Sequence, residues 1–240
     1  MKQAGFQVAA NAYFLDDSEG VEKPREIDIR AWNSCDLSIH DECPLLEMQV
    51  AVECKVSKVP WVGFVDFTSL PGDLALYPVL QVFGTQQARL GVQRLLVPDE
   101  ALPVARGLTA LHSSLVAMAE NGKDLAFEAM AKVITGARAL AKDVRAGRKG
   151  ERAILLVVFP AIFVDGPLIS CCLGESGEVE LEEVDRMMLR AYGFASNADA
   201  VLIPVVTRRG VPAFAADLAN TTSTLLERAK QNPYFFASPP

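Results

Sequence analysis

An aspartate, followed some two dozen residues later by a Glu-x-Lys triplet, stands where acids and bases are least expected. Asp28 lies in "REIDIRAW" (25–32), and Glu53 and Lys55 lie in "VAVECKVSKVPWVGF" (50–64). Both stretches read as β-strands. A charged group in mid-strand needs a partner or a task. Side chains alternate between faces, so Glu53 and Lys55 project together with Gln49 and Ser57, while Val50, Val52, Cys54 and Val56 form an apolar reverse face suited to a core. Asp28 is expected to share its face with Glu26 and Arg30, and antiparallel pairing of the two strands sets it across from Glu53.

Two carboxylates converging on one point repel, and one takes up a proton unless a cation neutralises them. A hard divalent cation does so. Mg²⁺ accepts one or two carboxylates together with water and phosphate oxygens, and a lysine two residues past the glutamate would stand beside the attacking water. There it can position the water or offset charge on a pentavalent phosphorus. As a unit, the set points to water attack on a phosphodiester with Mg²⁺ or Mn²⁺ as cofactor.

With "REID" on one strand, "VECK" on the next and a tryptophan close behind, the chain resembles the PD-(D/E)xK nucleases. The resemblance covers roughly residues 5 to 67. It implies a restriction-endonuclease-like core, a mixed central sheet flanked by helices, here with a C-terminal α/β elaboration. It also implies Asp28 and Glu53 as metal ligands, the Cys54 backbone carbonyl as a further ligand, Lys55 as the catalytic lysine and DNA as the partner, cut by a possible homodimer. The family usually places a helix carrying a glutamate before the first strand; this sequence starts four residues before Gly5, so that helix is expected to be truncated. No proline precedes Asp28, and Glu26 lies two residues back instead. A catalytically inactive member of the same fold, binding nucleic acid or scaffolding an assembly, is the alternative. A third reading makes the triad a structural ion-pair cluster in which Lys55 neutralises Glu53.

The elements that must position these residues are legible in outline. Strands are expected over 6–15, 25–34 and 47–57 as a meander, with 59–67 either a fourth strand or the extended entry to a helix. Helical spacing runs from 103 to 147 (Leu108, Leu111, Leu115, Met118, then Phe127 to Leu140) with a break near Asn121-Gly122. A buried hairpin is expected over 154–173, turning at Asp165-Gly166-Pro167; the turn signal sets it ahead of a membrane-spanning helix. A helix over 178–193, a strand over 198–207 and a closing helix over 213–231 complete a single domain.

The formal net charge of -7 argues against coating nucleic acid through bulk positive charge, though not against a local basic groove. Five scattered cysteines form neither a disulfide framework nor a CxxC pair, and no export signal opens the chain, so a reducing cytoplasm is the expected home. Arg30, Glu26, Gln49, Ser57 and Trp61 are the weaker substrate-contact candidates, Trp61 being equally readable as packing. Arg25 could contact phosphate or pair with a neighbour. "RAGRKGER" (145–152) and "TRRG" (207–210) are candidate phosphate-gripping loops. His40 and His112 are weak candidates for metal or base, and Cys171-Cys172 reads as core.

Overall fold

The computed structural model describes residues 1–16, 23–36, 45–65, 79–82, 110–119, 122–147, 154–174, 176–191 and 201–231. A 3₁₀ turn at Lys2–Ala4 leads into β1 (Gln7–Asp16), β2 (Lys23–Asp36) and β3 (Leu45–Val56), an antiparallel meander. Then follow β4 (Trp61–Val65), β5 (Val79–Val82), β6 (Leu111–Val116) and helix α1 (Leu125–Gly147). The C-terminal part holds β7 (Ile154–Asp165), β8 (Leu168–Leu173), β9 (Val179–Glu183), β10 (Arg186–Ala191), β11 (Val201–Thr207) and helix α2 (Val211–Gln231). The protein is mixed α/β; among the described residues, eleven strands form one mixed sheet ordered β1-β2-β3-β7-β11-β10-β6-β4-β8-β9, with β5 beside β7.

β7 is the axis of the sheet. It pairs in parallel with β3 along its whole length, and its other edge takes β5 at residues 155–158 and β11 at 162–164. Pro160 falls in the gap between those two partners, where a missing N–H interrupts no ladder. Val157 to Phe159, Ala161, Ile162 and Val164 are all buried, because both faces of this strand are covered. The ladder between β3 and β7 continues around a corner, through Ser57 N–H to Asp165 O (3.0 Å) and Trp61 N–H to Pro167 O (2.9 Å), into the parallel pair β4 and β8. The strand path from β7 through β11, β10, β6 and β4 therefore returns to β8, which follows β7 in the chain. Gly166 makes the corner possible: a Cβ there would collide with the Ser57 carbonyl.

One apolar cluster packs on each face. Met48, Val50, Val52, Ala31 and Phe159 meet Phe214, Leu218 and Leu225 of α2. On the other side Ala51, Val158, Ile162, Val205 and Trp61 meet Ala126, Val133, Ile134, Ala137 and Leu140 of α1. Asp124 caps α1, its Oδ1 accepting from the N–H groups of Ala126 and Phe127 at 3.0 and 3.3 Å. One turn past Lys132, Gly136 lets the helix sit down on β2; a Cβ at that position would lie 2.8 Å from Ile27.

Several expectations are corrected. Residues 154–173 form two strands but no hairpin, since β7 and β8 pair with different partners. The apolar run of β7 reflects burial on both faces of its central part, whereas β8 is half-buried beyond Leu168, Cys171 and Cys172 included. The helical spacing Leu111, Leu115 belongs to β6, and residues 103–109 lie outside the described residues. Strands β9 and β10 replace the helix expected over 178–193, and 59–67 contributes a strand over its described part. Val50 and Val52 are buried as the apolar reverse face, but Val56 is 84% exposed and Cys54 is exposed too. Among the described residues, no helix is long and apolar enough to cross a membrane.

Candidate active site

The middle of β2 and the C-terminal end of β3 bring Asp28, Glu53 and Lys55 together. The two strands pair from Ile29 opposite Val52 onward, so Asp28 and Glu53 are the first residues past the ladder, on the face covered by α1. Asp28 Oδ2 accepts a 2.7 Å hydrogen bond from the Cys54 N–H. The N–H and C=O of a strand residue point toward the same neighbour, so the Cys54 carbonyl faces the Asp28 edge as well. Glu53 is 2% exposed, and its Oε1 lies 2.9 Å from Lys55 Nζ.

Asp28 also marks a turnover in the strand. Ile27 packs in the α1 cluster while Ile29, two residues on, packs against the α2 cluster. Residues two apart normally share a face. Opposite, Asn11 adopts a left-handed φ of 54° between the pairs Ala10–Ile29 and Ala12–Ile27. The outer half of the hairpin thus curls over α1. Glu26 pairs with Tyr13 on that outer half and does not continue the face of Arg30.

Helix α1 supplies a fourth member that the sequence reading missed. Lys132 Nζ lies 2.8 Å from Glu53 Oε2 and 3.3 Å from Asp28 Oδ1, bridging the two carboxylates. Burial works against its ammonium, but hydrogen bonds to Glu53 and Asp28 and their charges outweigh it and raise its pKa above the ordinary lysine value. One signal was present: in the run 129–141, otherwise uncharged, Lys132 and Arg138 alone carry charge. Beside this cluster the Cys54 thiol is pushed up to about 11, chiefly by the dry surroundings of its sulfur, with Asp28 and Glu53 adding and Lys132 offsetting. It is a neutral thiol at physiological pH although the residue is exposed, so it offers no thiolate nucleophile.

The weaker candidates have other work. Gln49 is fully buried, accepts from Arg30 Nε at 3.1 Å and donates to Glu47. Arg30 also lies over the Trp32 ring, 5.4 Å from its centroid. The Ser57 hydroxyl donates to the Val59 carbonyl at 2.8 Å, holding the corner. Trp61 is completely buried in the α1 cluster, and its indole Nε1 is the one buried side-chain polar atom lacking a hydrogen-bond partner among the described residues. It packs in the core. His112, on β6, is buried between Ser170 Oγ (2.9 Å) and Met188 O (3.3 Å), and burial lowers its pKa. In "TRRG", Arg208 faces Asp165 at 3.7 Å and Arg209 joins Glu183 and Asp185 at 2.7 and 2.9 Å, so these arginines already serve acids. "RAGRKGER" past Gly147 and His40 lie outside the described residues. Comparison with known protein families, with curated proteins and with solved structures finds no match to this chain.

Proposed function

We propose that the Asp28–Glu53–Lys55–Lys132 cluster is a divalent-cation-dependent phosphodiester hydrolysis site, and that the protein is a Mg²⁺- or Mn²⁺-dependent endonuclease acting on DNA. The observation that carries this reading is the pair of carboxylate oxygens, one from each strand, within 3.3 Å of a single ammonium. Lys132 Nζ stands in for a cation at that point. Asp28 and Glu53 would hold the metal, with the Cys54 carbonyl on the same edge, and this all-oxygen set suits Mg²⁺ or Mn²⁺. When bound, the metal would polarise water and screen the phosphate charge. Lys55, already 2.9 Å from Glu53, orients the attacking water or stabilises charge building on the phosphate. Lys132, displaced from the carboxylates, is left as a second cation for a phosphate oxygen. A restriction-endonuclease-like core accords with the meander β1-β2-β3, the parallel neighbour β7 and the covering helices α1 and α2.

One observation favours a second reading. Each Glu53 oxygen has its own lysine, so the buried carboxylate is neutralised with no metal, as in a purely structural ion-pair cluster. The deciding experiment is cleavage of supercoiled plasmid and single-stranded DNA with Mg²⁺ or Mn²⁺, comparing wild type with Asp28→Ala and Lys55→Ala. Metal-dependent nicking lost in both variants is expected. No nicking, together with no Mn²⁺-induced rise in melting temperature, would establish the structural cluster instead.

A further inference from the structure

On the α1 face of the sheet, one strand position on from Asp28 in the inward direction, a guanidinium is anchored by one edge and open at the other. Arg30 stands opposite Ala9 of β1, the end strand of the sheet, and opposite Ala51 of β3. Its neighbours across both strands are methyl groups, which leave it uncrowded. Arg30 Nε donates to Gln49 Oε1 at 3.1 Å, and the guanidinium lies over the Trp32 ring, 5.4 Å from its centroid. Gln49 is fully buried, and its Nε2 donates to Glu47, itself buried. A carboxylate only accepts, so that bond turns the amide to present its oxygen to Arg30. Two buried polar side chains thus fix the direction of a half-buried cation. Among the described residues no acid or carbonyl meets its two Nη amines, whereas Arg186, Arg208 and Arg209 each pair with a carboxylate. From Asp28 to Trp32 is four residues of β2, about 13 Å at the rise of a strand. The open edge of Arg30 therefore lies on the order of one or two phosphate-to-phosphate steps from the carboxylates. Asp28 stands between this guanidinium and a cleft of about 360 Å³ that the curled hairpin, with Phe14 and Arg25, forms against Phe127 and Lys132 of α1.

We propose that Arg30 binds a backbone phosphate of the DNA substrate through its two Nη amines, close to the phosphate that is cut at Asp28 and Glu53, and that Gln49 and Glu47 are its positioning residues. The inference rests on the phosphodiesterase reading of the carboxylates and names the group that sets the register of the strand upon them. Phosphate suits the open edge, because coplanar N–H donors meet two oxygens of one phosphate. A protein of net charge -7 holds such a strand through local cations, and those of "TRRG" already serve acids. A contact of this kind reads charge and spacing and is indifferent to base identity.

The test is the salt dependence of binding, read by fluorescence anisotropy with a labelled single-stranded DNA and a blunt DNA duplex in EDTA, followed by nicking kinetics in Mg²⁺. Arg30→Met should weaken binding about tenfold and flatten the plot of log K against log salt by about 0.7 for a single strand or about 0.9 for duplex, the signature of one lost phosphate contact. Arg30→Lys keeps the charge without the bond to Gln49, so it should restore the slope and only part of the affinity. Ala9→Glu places a carboxylate directly across from Arg30 and should reproduce the flattened slope with Arg30 still present, whereas Ala9→Gln should bind as wild type does. Arg209→Ala, at an arginine already held by acids, should leave the slope unchanged. In nicking, Arg30→Met should raise KM about tenfold and change kcat less than about threefold, as loss of uniform binding does. A slope unchanged in both Arg30→Met and Ala9→Glu, or no binding of either DNA by wild type, would overturn the proposal. Nicking with an unaltered KM in Arg30→Met would also overturn it and leave the carboxylate site standing. Arg30-dependent binding with the flattened slope, but no nicking by wild type, would keep the phosphate contact and remove the hydrolytic reading.

Discussion

Two groups of acids and bases in this protein look alike on paper and differ in their surroundings. Arg209, Glu183 and Asp185 join β9, β10 and the start of α2 at the surface, where their side chains are 51–67% exposed. Asp28, Glu53, Lys55 and Lys132 join β2, β3 and α1, where Glu53 is 2% exposed and no member exceeds 37%. In water each charge has a solvent alternative, and an ion pair is close to optional. Out of water every charge depends on its partners, so removing one exposes the others to a desolvation cost. The buried group is therefore where a competing cation would have the largest effect.

The sharpest way to break this contrast is Lys132→Met. Without the ammonium, Glu53 Oε2 and Asp28 Oδ1 face each other unpartnered, and stability in EDTA is expected to fall by about 2–3 kcal/mol, allowing for the solvent that Lys132 retains. If the pair is a metal site, Mn²⁺ should restore most of that loss and bind more tightly than to wild type. Chemical denaturation with and without Mn²⁺ reads both, and a variant that Mn²⁺ cannot rescue contradicts the metal assignment.

Lys55→Met should cost less stability, about 1 kcal/mol, because Lys132 still neutralises Glu53. Its expected signature is a loss of turnover with the Mn²⁺-induced shift in melting temperature intact, separating the lysine that assists water from the carboxylates that hold the ion.

A pH series sharpens the comparison further. Both Lys132 and Cys54 have folded pKa values raised above their ordinary ones. A raised pKa contributes stability that is complete below the unfolded value and is lost as pH rises through the folded value. The midpoint of unfolding should be insensitive to these groups at neutral pH and decline once Cys54, ordinarily at 9.0, begins to ionise in the unfolded chain. Lys132 should extend the decline to higher pH. Cys54→Ser is expected to delay the onset; an unchanged alkaline limb would show that the thiol is not held neutral. At the exposed cluster, Arg209→Ala should leave both the midpoint and nicking unchanged within experimental scatter, the smallest effect of the series.

The legible parts of the sequence were those where local pattern and environment agree. β3 alternates cleanly from Gln49 to Glu53, and although β2 turns over at Asp28, the register of an antiparallel meander brings Asp28 to Glu53 as their spacing suggests. Spacings of four residues misled at Leu111 and Leu115, because four is a multiple of the strand period and also close to one helical turn. Charge density misled at 178–193, although Val179, Glu180, Leu181 and Glu182 alternate as an edge strand does. The pairing of β7 with β3 had no local signal at all, since a parallel partner lies a hundred residues away in the chain.

The amino-acid sequence by itself determined the chemistry on offer: two acids and a lysine on neighbouring strands, which antiparallel register brings side by side. Only the tertiary structure decided their charge balance and access. Lys132 reaches Glu53 and Asp28 because Gly136 seats α1 against Ile27, and the curled hairpin brings Phe14 and Arg25 alongside Phe127 to form a cleft. Those contacts join residues about a hundred positions apart, through packing that no local periodicity encodes.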